Sequence, residues 1–106
     1  MNQFLYKLQP TRADMLASGP TAQEAEVIQA HFDYLQGLVE RNVVLLAGRT
    51  MLTDENAFGI VVFEAVSESS ARAIMENDPA IARGVMDAQL FPFGVALWSE
   101  HGPTGA

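Results

Sequence analysis

The chain has no cysteine, so disulfides, thiolate metal sites and a cysteine nucleophile are all excluded. That absence fits a reducing compartment, and a cytoplasmic location is the expectation. Basic residues are scarce: 6 Lys and Arg stand against 13 Asp and Glu, for a net charge of −7. Nucleic acid and anionic membranes both demand a basic footprint, so neither is an expected partner. With 2 histidines and no thiol, no metal site is expected. No apolar run approaches the ~18 residues of a membrane span. The opening Met1-Asn2-Gln3-Phe4 does not read as a signal peptide. Gly19-Pro20 and Gly48 lack the pattern of a phosphate-binding loop, and no Gly-x-Ser-x-Gly nucleophile elbow occurs.

What remains is a chain of 106 residues, 49% hydrophobic and 18% charged. One domain over residues 1–100 is expected, followed by a flexible tail over 101–106. A domain of this size hides only part of so much apolar surface, which points to a homodimer or a higher oligomer.

The pattern along the chain gives the order of elements. Phe4, Tyr6 and Leu8 alternate with Gln3, Leu5 and Lys7, which predicts a strand ended by Pro10. Residues 11–20 read as a loop that folds back through Met15 and Leu16. Thr21-Ala22-Gln23-Glu24 is a capping-box pattern opening a helix that runs to about Arg41, with Asn42 as its stop. Val43 to Ala47 predicts a second strand, and Phe58 to Phe63 a third. Ser67 caps a second helix whose inner face carries Ala71, Ile74 and Met75. Asp78-Pro79 starts a short turn closed by Gly84, and the last strand is predicted from about Ala88 to Trp98, with Pro92 marking an edge or a bulge.

The predicted fold is therefore α+β, a ferredoxin-like β-α-β-β-α-β sandwich with both helices on one face of a four-stranded sheet. The second and third strands are continuous apolar runs, the pattern of strands covered on both sides. A second copy of the chain is the expected cover, giving a dimeric α/β barrel.

One residue breaks the apolar pattern of the first helix. Ile28, Phe32, Leu35, Leu38 and Val39 share a helical face, and His31 lies among them. An imidazole pointing inward needs a partner, because an unpaired buried polar group costs about 1–3 kcal/mol. Asp78 is the candidate, forming an acid–base pair if the two meet. The plain alternatives are a core histidine bonded to a backbone carbonyl and an aspartate that serves only as a helix cap.

Ala30-His31-Phe32-Asp33-Tyr34-Leu35-Gln36-Gly37-Leu38, the later Leu46-Ala47-Gly48, and Asn77-Asp78-Pro79 ahead of Gly84 resemble the YCII-related family of small dimeric α/β-barrel proteins. The resemblance covers nearly the whole chain. It implies a site pairing a histidine of the first helix with an aspartate before a proline, positions that His31 and Asp78 match. It also implies cofactor-independent acid–base chemistry, elimination or isomerisation, on a small and often aromatic-derived molecule. Where the family commonly has Gly-Pro after the second strand, this chain has Gly48-Arg49. Arg12 and Arg49 are candidates to hold an anionic group of the substrate, and Tyr34 to add a hydroxyl. Arg72 and Arg83 read as solvated, Tyr6 and Trp98 as core or interface, and Met15, Met51, Met75 and Met86 as core filler. The competing reading is a non-catalytic module that binds a small ligand or serves a structural role.

Overall fold

Strand alternation sets the first element. Phe4, Tyr6 and Leu8 all turn to one side and are buried at 5%, 0% and 4% exposure, while Gln3, Leu5 and Lys7 face the other side. In the computed structural model, which describes residues 1–105, this strand is β1 (Asn2–Pro10). It is followed by α1 (Asp14–Ser18), α2 (Ala22–Glu40), β2 (Val44–Arg49), β3 (Gly59–Ala65), α3 (Glu68–Glu76), α4 (Pro79–Ala82) and β4 (Met86–Phe93). The sheet order is β2-β3-β1-β4 with every pairing antiparallel, which is the ferredoxin-like arrangement.

The helices form where the caps are. Thr21 Oγ1 accepts from the Glu24 N–H at 3.1 Å, and the Glu24 carboxylate accepts from the Thr21 N–H at 2.9 Å, the reciprocal pair that starts α2. Asn42 follows the α2 C-cap with φ at 61°, a left-handed position that asparagine tolerates. Ser67 caps α3 through the Ser70 N–H. Leu35 and Leu38 of α2 pack with Ala71 and Met75 of α3 against Phe4, Tyr6, Leu8, Val61 and Phe63 of the sheet. That apolar layer is the main core.

Four expectations change. The loop at 11–20 contains α1, whose Met15 is buried in a second cluster with Val27 and Val85. Phe32 and Val39 are not core: they are 60% and 48% exposed, so the apolar stripe of α2 is wider than the surface it covers. The last strand stops at Phe93 rather than Trp98, because its antiparallel partner β1 begins there and Gln3 pairs with Phe93. Beyond it, the Val95 N–H reaches back to the Gln3 side chain. Finally, β2 runs from Val44 to Arg49 rather than stopping at Ala47, as an edge strand with a register irregularity between Val44 and Leu46, and Leu46 is 45% exposed in the single chain. Residues 101–105 form no helix or strand, and Ala106 lies outside the described residues.

The face of the sheet opposite the helices carries Leu5, Val62, Leu46, Phe91 and Phe93 by register. Phe91 and Phe93 are each 43% exposed there. Lys7 Nζ lies 4.9 Å from the centre of the Phe58 ring, a cation–π contact beside the same face. Among the described residues, no helix is long and apolar enough to cross a membrane.

Candidate active site

Asp78 is the N-cap of α4, and its placement there follows from Asp-Pro: Pro79 presets the first helical residue while the Asp78 carboxylate accepts from the Ala80 N–H at 3.0 Å. Capping uses only part of a carboxylate. The rest of it points at α2 and β1. His31 Nδ1 lies 2.7 Å from Asp78 Oδ1 and 2.8 Å from Oδ2, and Tyr6 Oη donates to Oδ2 at 2.8 Å. Asp78 has no solvent exposure, and it is the one charged residue so buried among those described.

Two of the partners of Asp78 are donors, and an ionised carboxylate between them dictates the role of the third. The Ala80 amide can only donate. Burial first, and the neighbouring Asp78 charge second, push the Tyr6 phenol far above the ordinary tyrosine range, so it stays protonated and donates. The carboxylate is therefore acceptor-only, and His31 must carry its proton on Nδ1. In the neutral ring Nε2 is then bare. It has no partner among the described residues and is not a buried unsatisfied atom, so it opens outward.

His31 lines a cavity of about 570 Å³ at the end of the sheet where β1 and β2 finish and β3 and β4 begin. The walls are mostly apolar: Leu8, Ile28, Phe32, Leu35, Ala57 and Val61 are among them. His31, Gln36, Arg49 and Thr50 bring the polar side chains. A concave apolar space of this size with a few polar groups is the ordinary form of a small-molecule site. A base buttressed from behind by a fixed carboxylate and facing such a space is equipped for proton transfer.

A family model described as the YCII-related domain matches residues 4–94. The chain belongs to the YCII-related family. A solved structure of 5-chloro-2-hydroxyhydroquinone dehydrochlorinase from Burkholderia phenoliruptrix AC1100, in complex with 2,5-dihydroxybenzoquinone, matches this YCII protein with a TM-score of 0.64 at 20% identity. The match covers 87% of this chain and 93% of that one. At that identity the likeness establishes the shared fold. No curated protein matches the chain by sequence.

The other candidate residues of this YCII protein separate in space. Arg49 reaches the cavity wall. Arg12 does not: its guanidinium is taken up by Glu24 at 2.7 and 2.9 Å and by the Gly19 carbonyl at 3.0 Å, tying the α1 loop to the start of α2. Tyr34 is also elsewhere. Its hydroxyl donates to the Ile74 carbonyl at 2.7 Å and bridges α2 to α3, and burial chiefly raises its pKa. The residue that sequence reasoning misses is Tyr6. Its alternating position says that it is buried, but nothing in the local pattern says that its hydroxyl meets a carboxylate 72 residues away.

The Arg12–Glu24 pair makes a pH prediction. The Arg12 hydrogen bonds, then the Thr21 N–H, hold the Glu24 carboxyl at about 2, below its ordinary 4.5. A pKa depressed in the folded state contributes stability above 4.5 that is lost as pH falls toward 2. Carboxyl ¹³C titration by NMR is expected to place the Glu24 midpoint near 2 in the native chain and to move it upward in Arg12→Gln. An unchanged midpoint in the variant removes the guanidinium as the cause.

Proposed function

We propose that this YCII protein is a cofactor-independent acid–base enzyme that carries out elimination or isomerisation on a small cyclic, aromatic-derived molecule. The observation that carries the reading is the Asp78-oriented His31 ring with a bare Nε2 at an apolar cavity. His31 takes a proton from the substrate through Nε2. Asp78 holds the ring in the required tautomer and stabilises the imidazolium that forms. In an elimination the electron pair left by that proton forms the new double bond, and the leaving group departs from the neighbouring carbon. The named reaction of the structural neighbour, a dehydrochlorination, is of this type and supports the reading.

The test is turnover of a panel of halogenated hydroxyhydroquinones and small lactones, followed by halide release and by ultraviolet absorbance. Native protein is expected to accelerate at least one of them and His31→Gln to lose the acceleration. Equal rates in both chains overturn the reading in favour of a ligand-binding or structural module.

We also infer that the working form is a homodimer joined through the open sheet face, which carries Leu46, Phe91 and Phe93 partly exposed. Light scattering is expected to give twice the chain mass for the native protein. Phe91→Glu/Phe93→Glu is expected to give the mass of a single chain, because a buried unpaired charge opposes association. A native chain that runs as a monomer at micromolar concentration refutes this assembly.

A further inference from the structure

The distribution of charge around the cavity is the reverse of the chain as a whole. The protein carries 13 acidic residues and a net charge of −7, yet among the described residues no Asp or Glu lines the cavity. Asp78 has no solvent exposure and is engaged by Tyr6, Ala80 and His31, so it stands behind His31 rather than at the wall. Against this background one guanidinium, Arg49, stands on the lining.

Arg49 is also uncommitted. Arg12 pairs with Glu24 and Arg72 with Glu68, whereas Arg49 has no ion pair or side-chain hydrogen bond among the described residues. The backbone opposite leaves it room. Arg49 is in register with Gly59, and a side chain at 59 would bring its Cβ to 3.3 Å from the Gly48 carbonyl and 3.8 Å from Arg49 Cβ. Glycine there keeps the space beside Arg49 empty. Thr50 closes the hairpin behind it, exchanging hydrogen bonds with Phe58 through its N–H and its hydroxyl. The strand end that presents Arg49 is thus fixed while the guanidinium itself is free.

We propose that the ligand of this cavity is a single-ring organic monoanion, a carboxylate or a phenolate, whose charge is held by Arg49 while its ring lies on the apolar walls beside His31. This deepens the acid–base reading above and rests on the same cavity. A planar guanidinium fork matches a carboxylate or phenolate oxygen, and Arg49, exposed and unpaired among the described residues, is open to form that charge-assisted bond. The anion also sets direction. With the charge at the β2 end, the opposite part of the ring is the part presented to Nε2.

The experiment uses benzoate as the probe and benzamide as its neutral isostere. Both are titrated into the native full chain and followed by ¹H–¹⁵N chemical-shift changes at constant pH and ionic strength. Benzoate is expected to shift amides over residues 47–50 and 28–36 and to bind at least about ten-fold more tightly than benzamide, the range for a charge-assisted bond. Arg49→Gln is expected to bring the two affinities together, and Arg49→Lys to restore part of the preference. Equal affinities in the native chain, or a preference unchanged in Arg49→Gln, overturn the proposal. So does benzoate binding that leaves both amide segments unshifted. His31→Gln separates this from the enzymatic reading. The benzoate preference is expected to survive that change, while absent turnover by the native chain with intact anion selectivity counts against the acid–base enzyme and not against the ligand class.

Discussion

Asp78→Ala is expected to lower the stability of the fold by about 3–5 kcal/mol, the cost of breaking a buried pair from one side. For a domain of this size that is a fall of roughly 15–30 °C in melting temperature. The size of the effect comes from what is left behind rather than from what is removed. The carboxylate is the shared acceptor for the Tyr6 hydroxyl, the Ala80 N–H and His31 Nδ1. Alanine strands all three donors at a place without solvent exposure. It also removes the cap of α4, which holds the turn between α3 and β4. Tyr6→Phe takes away one donor and leaves the acceptor satisfied by the others, so about 1–3 kcal/mol is expected. The double variant Tyr6→Phe/Asp78→Ala is expected to cost less than the sum of its parts, since the phenylalanine no longer leaves a hydroxyl orphaned. Denaturant unfolding at fixed protein concentration measures all three. Additive losses, or an Asp78→Ala loss below about 1 kcal/mol, would falsify the shared-acceptor account.

How far this network is legible in the sequence depends on the range of each signal. Local signals read well. The Thr21–Glu24 box, the Asn42 stop and the Ser67 cap are written in residues three or four apart, and each is present as expected. The order of strands follows from alternation and chain connectivity. His31 is marked by an imbalance within its own helix, and Asp78 by its proline, so both ends of the pair stand out although 47 residues separate them. Signals that depend on a distant partner read badly. Where β4 stops is decided by where β1 begins, and Phe91-Pro92-Phe93-Gly94-Val95 does not contain that information. The apolar run of β2 marks it as a strand, but nothing within the run says that it sits at the sheet edge. Arg12 and Arg49 are the same residue type at the ends of two parallel-running strands. Only the fold places Glu24 against the first and an empty glycine position against the second.

His31→Gln is expected to cut turnover by about 10²–10⁴-fold, the usual contribution of a positioned general acid or base. The loss should fall on kcat, because His31 is one of many lining residues and the apolar walls and Arg49 remain to bind the ligand. Its effect on stability should be much smaller than that of Asp78→Ala. The imidazole is a donor at the edge of the network, its side chain is 15% exposed, and a glutamine N–H can still reach toward a carboxylate that keeps Tyr6 and Ala80. The two variants therefore dissociate in opposite directions. Asp78→Ala is read mainly in the unfolding curve and His31→Gln mainly in the rate. A pair that existed only to brace α2 against α4 predicts the contrary pattern, with His31→Gln destabilising the fold about as much as Asp78→Ala and no substrate turned over by either the native chain or the variant. Measuring unfolding and turnover on the same two preparations decides between a base with its orienting acid and a buried brace.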